Sequence, residues 1–473
     1  MKSSDIQQRP VYFALAIGLI LAPMAFGGTT GWFTSVFAIY AGSVALFWAV
    51  TVKTGAGYPA ASTRIILLAA TLVGIAIVWC FAQAWLPAPP GITHNIWSEA
   101  SALPALPDGQ PLGPVISVNP QESVSGALRL SGYCLVFFLC YRIAVVERRA
   151  ARLLVIITLA GTAYALYGIA LELSGSSYVL WYERDFEPGN LSSTFPNRNA
   201  FADYAALCLM CGYALMYRAR IRQDDLDRGW LHAATSVSVF YLRRNGWLVY
   251  AAAILFVAIL MTHSRGGLLV TMVSLTVLAG CAMRNAVNRE FALISIVVLA
   301  VFAAILFGLL GGATVERFSR IDTASLERYE IFELTIEAIG DHPILGTGLG
   351  TFSDIFAAYR TETLLPQIDF AHNSFLENAL EMGLPAATLF YAGLTALFIF
   401  FVRSLVVYPR AHPYPALAIS TMALAFFHSL FDYPDQFPAV AITFAAILGI
   451  AAAQSFCVSA AGKNYTGDDR RQT

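Results

Sequence analysis

Long apolar runs separated by short polar links recur along almost the whole chain. Each has about the 20 residues needed to cross the hydrocarbon core of a bilayer. Their positions predict twelve spans, near 11–26, 32–52, 65–86, 126–145, 152–173, 197–217, 246–262, 267–283, 291–311, 384–402, 414–431 and 437–456. The expected fold is an all-α integral membrane protein, because no soluble core needs so many runs of this length. Three polar links are long. Residues 87–125 hold eight prolines and read as irregular structure. Residues 174–196 carry Trp181, Tyr182 and several acids.

The largest link, 312–383, has helical periodicity in two places. Tyr329, Phe332, Ile336 and Ile339 share one face of a first helix, which Gly340 and Pro343 stop. Asn373 can cap a second helix that runs to Gly383, with Glu377 and Glu381 four apart on one face. The organisation expected is a membrane domain of nine spans (1–311), a loop with amphipathic helices (312–383), three further spans (384–456) and a tail (457–473).

Composition agrees with the pattern. The 473 residues are 58% hydrophobic and 12% charged, whereas soluble domains carry roughly 25% charged residues. A net charge of −1 gives no case for a nucleic-acid partner, and the lipid bilayer is the expected surrounding. The seven cysteines are odd in number and lie in or beside apolar runs, which argues against a disulfide framework. Cys208 and Cys211 lack a second pair or a nearby histidine and read as small buried residues. Lys2 and Arg9 ahead of the first run also fit a cleaved leader, but the topology needs this helix to stay.

Lysine and arginine orient the spans, since they are retained on the cytoplasmic side. With the N-terminus inside, 21 of the 29 fall in inner segments, which makes both termini cytoplasmic. The eight on the outside are all arginines: Arg129, Arg184, Arg198, Arg265, Arg317, Arg320, Arg328 and Arg360.

Candidate chemistry gathers on that outer side. Thr262-His263-Ser264-Arg265-Gly266-Gly267 is a short link between two spans. Its arginine is either an interfacial anchor that snorkels to headgroups or a clamp that binds phosphate bidentately. In Asn197-Arg198-Asn199, a second arginine sits at the mouth of a span with Asp203 about one turn inside. The two either pair to lower the cost of burial or serve function, the default for an intramembrane acid. Arg328 lies on the first loop helix, where a solvated role is equally open. His372 precedes the second loop helix at its positive end, which suits a neutral imidazole and nearby anions as well as a simple capping role. Gly346-Thr347-Gly348-Leu349-Gly350 has no strand–turn–helix unit around it and reads as a flexible or close-packed turn. His428, Asp432 and Asp435 read as interfacial structure. No Asp-x-Asp metal site occurs outside, and clustered arginines can replace a divalent cation at a diphosphate.

Three ordered segments together resemble the O-antigen ligase and polymerase superfamily. They are Ser264-Arg265-Gly266-Gly267, the stretch from Arg328 through Asp341-His342-Pro343-Ile344-Leu345-Gly346-Thr347-Gly348, and His372-Asn373-Ser374-Phe375-Leu376-Glu377 with Glu381-Met382-Gly383-Leu384. The large outer loop between the ninth and tenth spans matches too. The resemblance implies a GT-C-like membrane glycosyltransferase of the bacterial inner membrane with its active site on the periplasmic face. It would move a glycan from undecaprenyl diphosphate to an acceptor hydroxyl, with inversion and without cofactor or obligatory metal. The acceptor it implies is a growing glycan, lipid A–core or protein, and other polysaccharide-assembly proteins are the further partners. By resemblance Arg265 and Arg328 bind the donor diphosphate, with Arg198 rather than Arg360 as the third arginine. His372 acts on the acceptor hydroxyl, with Asn373, His263 and Asp203 in support. A transporter or flippase for lipid-linked glycans is the rival reading. Transporters show inverted repeats and charges near mid-membrane, whereas here repeats are not evident and the polar groups lie at the outer edge.

Overall fold

A computed structural model describes residues 8–51, 60–88, 94–102, 113–183, 189–224, 246–284, 293, 323–361, 364, 368–407 and 413–468. Its membrane helices are α1 (Arg9–Leu21), α2 (Gly31–Thr51), α3 (Ala60–Trp85), α5 (Pro120–Ile143), α6 (Glu147–Ser174), α7 (Arg198–Asp224), α8 (Gly246–Met261), α9 (Arg265–Ala282), α13 (Leu384–Val407), α14 (Tyr414–His428) and α15 (Pro438–Asp468). Eight are long and apolar enough to cross a membrane, and three shorter apolar helices contain or fall within α1, α8 and α14. Eleven of the twelve expected spans thus coincide with helices; the ninth, 291–311, lies outside the described residues except for residue 293. The chain is an all-α membrane protein. Of the 87–125 link, residues 95–102 form a short helix, α4 (Asn95–Ala102), where irregular structure was expected, and α5 begins at Pro120, capped by the Asn119 side chain. The 174–196 link contains a small hairpin, β1 (Tyr178–Val179) and β2 (Tyr182–Glu183).

Two helices form the middle of the bundle. Nearly every residue of the Arg198–Ala219 part of α7 and of the first half of α15 is buried. Both are rich in small residues, which let backbones approach where no hydrophobic effect drives helices together. An added methyl at Gly449 would meet the Phe137 carbonyl at 2.3 Å, and one at Gly161 would meet the Cys208 side chain at 2.4 Å. That contact accounts for Cys208, which is buried and free, as is Cys211. Packing around them runs α6 and α8 on α7, α5 on α15, α3 on α13, and α9 on α14.

Outside the bundle lie α10 (Thr323–Asp341), α11 (Phe352–Phe356) and α12 (Ser374–Met382). They share their own core of Val118, Ile331, Ala338, Phe352, Ile355, Phe356, Leu364, Ala371 and Leu380. The buried face of α10 is Ile331–Thr335–Ala338. The apolar stripe read from the sequence flanks this face: Ile339 packs partly on the core, whereas Tyr329 is 71% and Ile336 57% exposed. Glu377 and Glu381 do share a face of α12, and it is buried. Each carboxylate accepts a backbone N–H group, Ala371 N at 2.8 Å for Glu377 and Phe352 N at 2.9 Å for Glu381 Oε1.

Gly346-Thr347-Gly348-Leu349-Gly350 is the close-packed turn that joins these layers. Thr347 N and Gly348 N donate to the Leu380 and Glu381 carbonyls at 3.0 and 2.9 Å. Gln83 of α3, fully buried, donates to the Leu345 and Glu381 carbonyls at 2.7 and 2.8 Å. Gly346 has φ +69°, and a methyl there would lie 2.4 Å from the Glu381 oxygen and the Gly383 nitrogen. Gly346→Ala should therefore destabilise the protein by about 1–3 kcal/mol. Gly340→Ala, at a helical position with open space around it, should be neutral or stabilise by up to about 1 kcal/mol. Thermal unfolding of both purified variants in the same detergent checks this, and equal melting temperatures would refute the packing role assigned to the turn.

Candidate functional site

The N-terminal ends of α7 and α9 and the C-terminal end of α14 meet the loop that precedes α12. Each end is built by local chemistry. Ser264 caps α9 by accepting from Gly267 N at 3.0 Å, so Arg265 is the first helical residue. The two glycines that follow allow close approach. A methyl on Gly266 would sit 2.7 Å from the Phe431 ring and 3.4 Å from His428 Nε2, and one on Gly267 would sit 2.7 Å from Ala202. The Ser-Arg-Gly-Gly motif thus clamps α9 between α7 and the end of α14, and leaves the Arg265 side chain exposed.

Asn373 caps α12 through bonds from Phe375 N at 3.0 Å and Leu376 N at 3.1 Å. Its amide also donates to the Leu430 carbonyl at 3.0 Å, and Ser374 N donates to the Ser429 carbonyl at 3.1 Å. Phe370 stacks on Tyr433 at 4.2 Å. The segment around His372 is therefore stitched to residues 429–433. Glu377, which takes Ala371 N, also receives a 2.6 Å bond from Gln436. Between these anchors His372 adopts φ +52°. Non-glycine residues seldom adopt this conformation, and it persists only where surrounding structure imposes it. His263 has φ +51° and pairs with the Asn190 side chain at 3.2 Å.

Asp203 does not pair with Arg198. It is fully buried and lies 2.6 Å from His428 Nδ1, across from α7 to the last residue of α14. His428 Nε2 is 3.6 Å from Asp432 Oδ2, and Asp432 Oδ1 is 3.7 Å from His372 Nδ1. These two separations are longer than hydrogen bonds but place one carboxylate between two imidazoles. Asp432 also receives Asn199 Nδ2 at 2.6 Å and Tyr433 N at 3.0 Å. Burial opposes ionisation of Asp432, but contacts with His372, His428 and the Tyr433 N–H outweigh it and hold the carboxyl below its ordinary value. Burial and the Asp432 charge push the Tyr433 phenol up, while the Asn197 bond and the Arg328 guanidinium oppose the rise. Of the four residues in the Asp203–His428–Asp432–His372 line, His372 alone reaches the surface appreciably, with a side chain 29% exposed.

The structure thus gathers most of the residues named from sequence. Arg198 begins α7 between Asn197, which bonds Tyr433 OH at 3.2 Å, and Asn199, which bonds Asp432. Arg265 begins α9 one residue from the His428 contact. Arg328, half-buried on α10, acts electrostatically on both Tyr433 and His428. His263 stands at the rim with Asn190 rather than in the line. His428 and Asp432 are members that sequence reasoning treated as interfacial structure. Their four-residue spacing at a span end was the available signal, since it puts both on one helical face.

Residues 250–391 match the family model Wzy_C, described as O-Antigen ligase. No curated protein and no solved structure matches the chain. The matched stretch contains Arg265, Arg328 and His372, whereas Arg198, Asp203, His428 and Asp432 join them only through contacts in the fold. The match spans residues 250–391, less than half of the chain, and together with the ordered motifs and the helical layer beside the bundle it supports the O-antigen ligase superfamily.

Proposed function

We propose that the protein is an inverting, metal-independent glycosyltransferase that moves a glycan from undecaprenyl diphosphate to an acceptor hydroxyl on the periplasmic face of the bacterial inner membrane. The match over residues 250–391 supports a role in polysaccharide assembly of the O-antigen ligase or polymerase type. The observation that carries the mechanism is the position of His372, held by its loop beside Asp432 at the exposed edge of an otherwise buried polar line. The Asp432 carboxylate faces Nδ1 from 3.7 Å and favours a proton on that nitrogen, and Nε2 is then the proton acceptor. The acceptor hydroxyl attacks the anomeric carbon as its proton passes to Nε2. The bond to the diphosphate breaks, and the electron pair leaves with the phosphate oxygen. Arg265, Arg328 and Arg198 stabilise that developing charge, a task suited to planar guanidinium groups that stay charged. Asn373 sets the helix that carries the base, and Asp203 supports Asp432 through His428.

Three outcomes test this reading. Arg265→Lys and Arg328→Lys keep the charge but lose the bidentate fork. Each should insert normally and lose at least about tenfold in transfer, equivalent to about 1.4 kcal/mol of transition-state stabilisation. Near-normal transfer in both variants rules out the clamp. General-base catalysis typically contributes about 10²–10⁴-fold, so His372→Ala should lose that much in transfer with donor binding intact. His372→Gln keeps a hydrogen-bonding group but cannot take the proton; a normal rate in that variant would show that His372 only orients the acceptor. Orientation is tested by labelling. In a cysteine-free background, Ser176→Cys should react with an impermeant thiol reagent added to spheroplasts, and Asn285→Cys should not. Labelling of Asn285→Cys in sealed spheroplasts contradicts the topology.

A further inference from the structure

The Asp203–His428 pair sits behind the proposed base and has no contact with the surface. Both side chains are 1% exposed. A buried carboxylate and imidazole at this depth are costly unless each finds a partner, and side chains retained there in membrane proteins tend to serve function. His428 has two faces. Its Nδ1 is 2.6 Å from the Asp203 carboxylate, while its Nε2 is buried, makes no direct hydrogen bond and looks at Asp432 Oδ2 from 3.6 Å.

Hydrogen-bond complementarity limits the proton arrangements. The short Nδ1 bond needs one proton between Asp203 and His428. If Nε2 carried only a lone pair, it would face the Asp432 carboxylate oxygen, lone pair against lone pair, in a buried site. A proton on Nε2 removes that conflict whether the first proton belongs to Asp203 or to Nδ1. The pair then presents an N–H donor to Asp432, beside the Asn199 amide at 2.6 Å and the Tyr433 N–H at 3.0 Å. Asp432 is 4% exposed, so without such donors burial would favour its neutral form.

We propose that His428, oriented by Asp203, is a positioning residue that keeps the Asp432 carboxylate charged, and that this charge in turn sets the His372 imidazole for accepting a proton. The inference rests on the glycosyl-transfer reading. It explains why an acid one turn inside α7 and a histidine at the end of α14, 225 residues apart, are joined by a short bond. The titratable and charged groups facing this carboxylate are few among the described residues. His428 on α14 is backed by Asp203 of α7, His372 lies on the loop before α12, and Tyr433 is the next residue. Arg328 of α10 acts on Tyr433 and His428, and Glu377 of α12 acts on Tyr433.

The test separates the two faces of His428. In His428→Asn the amide replaces Nδ1, keeps a polar group for Asp203, and puts no donor at the Nε2 position. In His428→Gln the amide replaces Nε2 and keeps the donor toward Asp432. Transfer by the purified full-length protein is measured from pH 5.5 to 8.5, with an undecaprenyl-diphosphate-linked glycan as donor. The reaction needs Asp432 ionised, so losing the donor raises the pH at which activity appears. With the donor gone, burial favours the neutral Asp432 carboxyl into the measured range, so His428→Asn should lose roughly tenfold more activity at pH 5.5 than at pH 8.5. Donor KM should stay within about twofold, because His428 touches no substrate; the change falls on kcat. His428→Gln should keep the parent's profile. A purely structural role lowers activity equally at every pH, and that result, or identical profiles for Asn and Gln, overturns the inference. If His428→Asn does not accumulate in the membrane, His428→Met serves the same arm. A His372→Ala control in the same assay distinguishes the two levels. If it transfers normally, the glycosyl-transfer mechanism itself fails. If it is inactive while His428→Asn keeps the parent's profile, only the role of His428 fails.

Discussion

The hydrogen bond between Asp203 and His428 is the constraint on which the candidate site depends. In a bilayer-embedded bundle, a polar group one turn inside a span has no water to fall back on. The short bond settles both groups at once and locks the outer end of α7 to the end of α14. Asp432 then follows on the next turn, close to the His428 ring. From Asp432 the order extends outward, through Asn199 back to α7 and toward His372 on the loop. A single buried contact thus fixes the relative positions of two helix ends and a surface histidine.

Close approach of backbones makes that contact attainable. Gly266 and Gly267 bring α9 against Phe431 and Ala202, and small residues along α7 and α15 let the central helices nest among their neighbours. Arg265 owes its place at the rim to the same glycines. A larger residue after it would push α9 away from His428 and carry the arginine with it. The motif therefore has two separable roles: its glycines pack and its arginine projects.

The loop layer is held to the bundle by buried side chains that hydrogen-bond its backbone, and not by apolar area alone. Gln83, Glu377 and Glu381 are almost fully buried, and each hydrogen-bonds backbone groups of the loop layer. Loops placed over a membrane bundle leave many N–H and C=O groups in dry surroundings, where an unmade bond costs about 1–3 kcal/mol. The two glutamates are staples of this kind. By holding Ala371, Glu377 also imposes the strained backbone of His372.

Much of this was legible in the chain because it is local. Apolar runs of bilayer length marked eleven helices that the structure contains, Asn373 and Gly383 bounded α12, and α10 ends at Asp341, two residues before Pro343. Arg265, Arg328 and His372 could be named because they sit in ordered short motifs. Pairing was not legible. Asp203 is five residues from Arg198, yet its partner is His428 on a helix 225 residues away, since helix packing rather than proximity along the chain decides which groups share a dry site. The inward face of α10 escaped for a related reason. Periodicity showed an apolar stripe through Tyr329 and Ile336, but the position of the neighbouring helices turned Ile331, Thr335 and Ala338 inward instead. Composition and periodicity determine elements, because they act within a few residues. Which faces meet, and which charges are buried together, is set only when distant elements exclude water from one another.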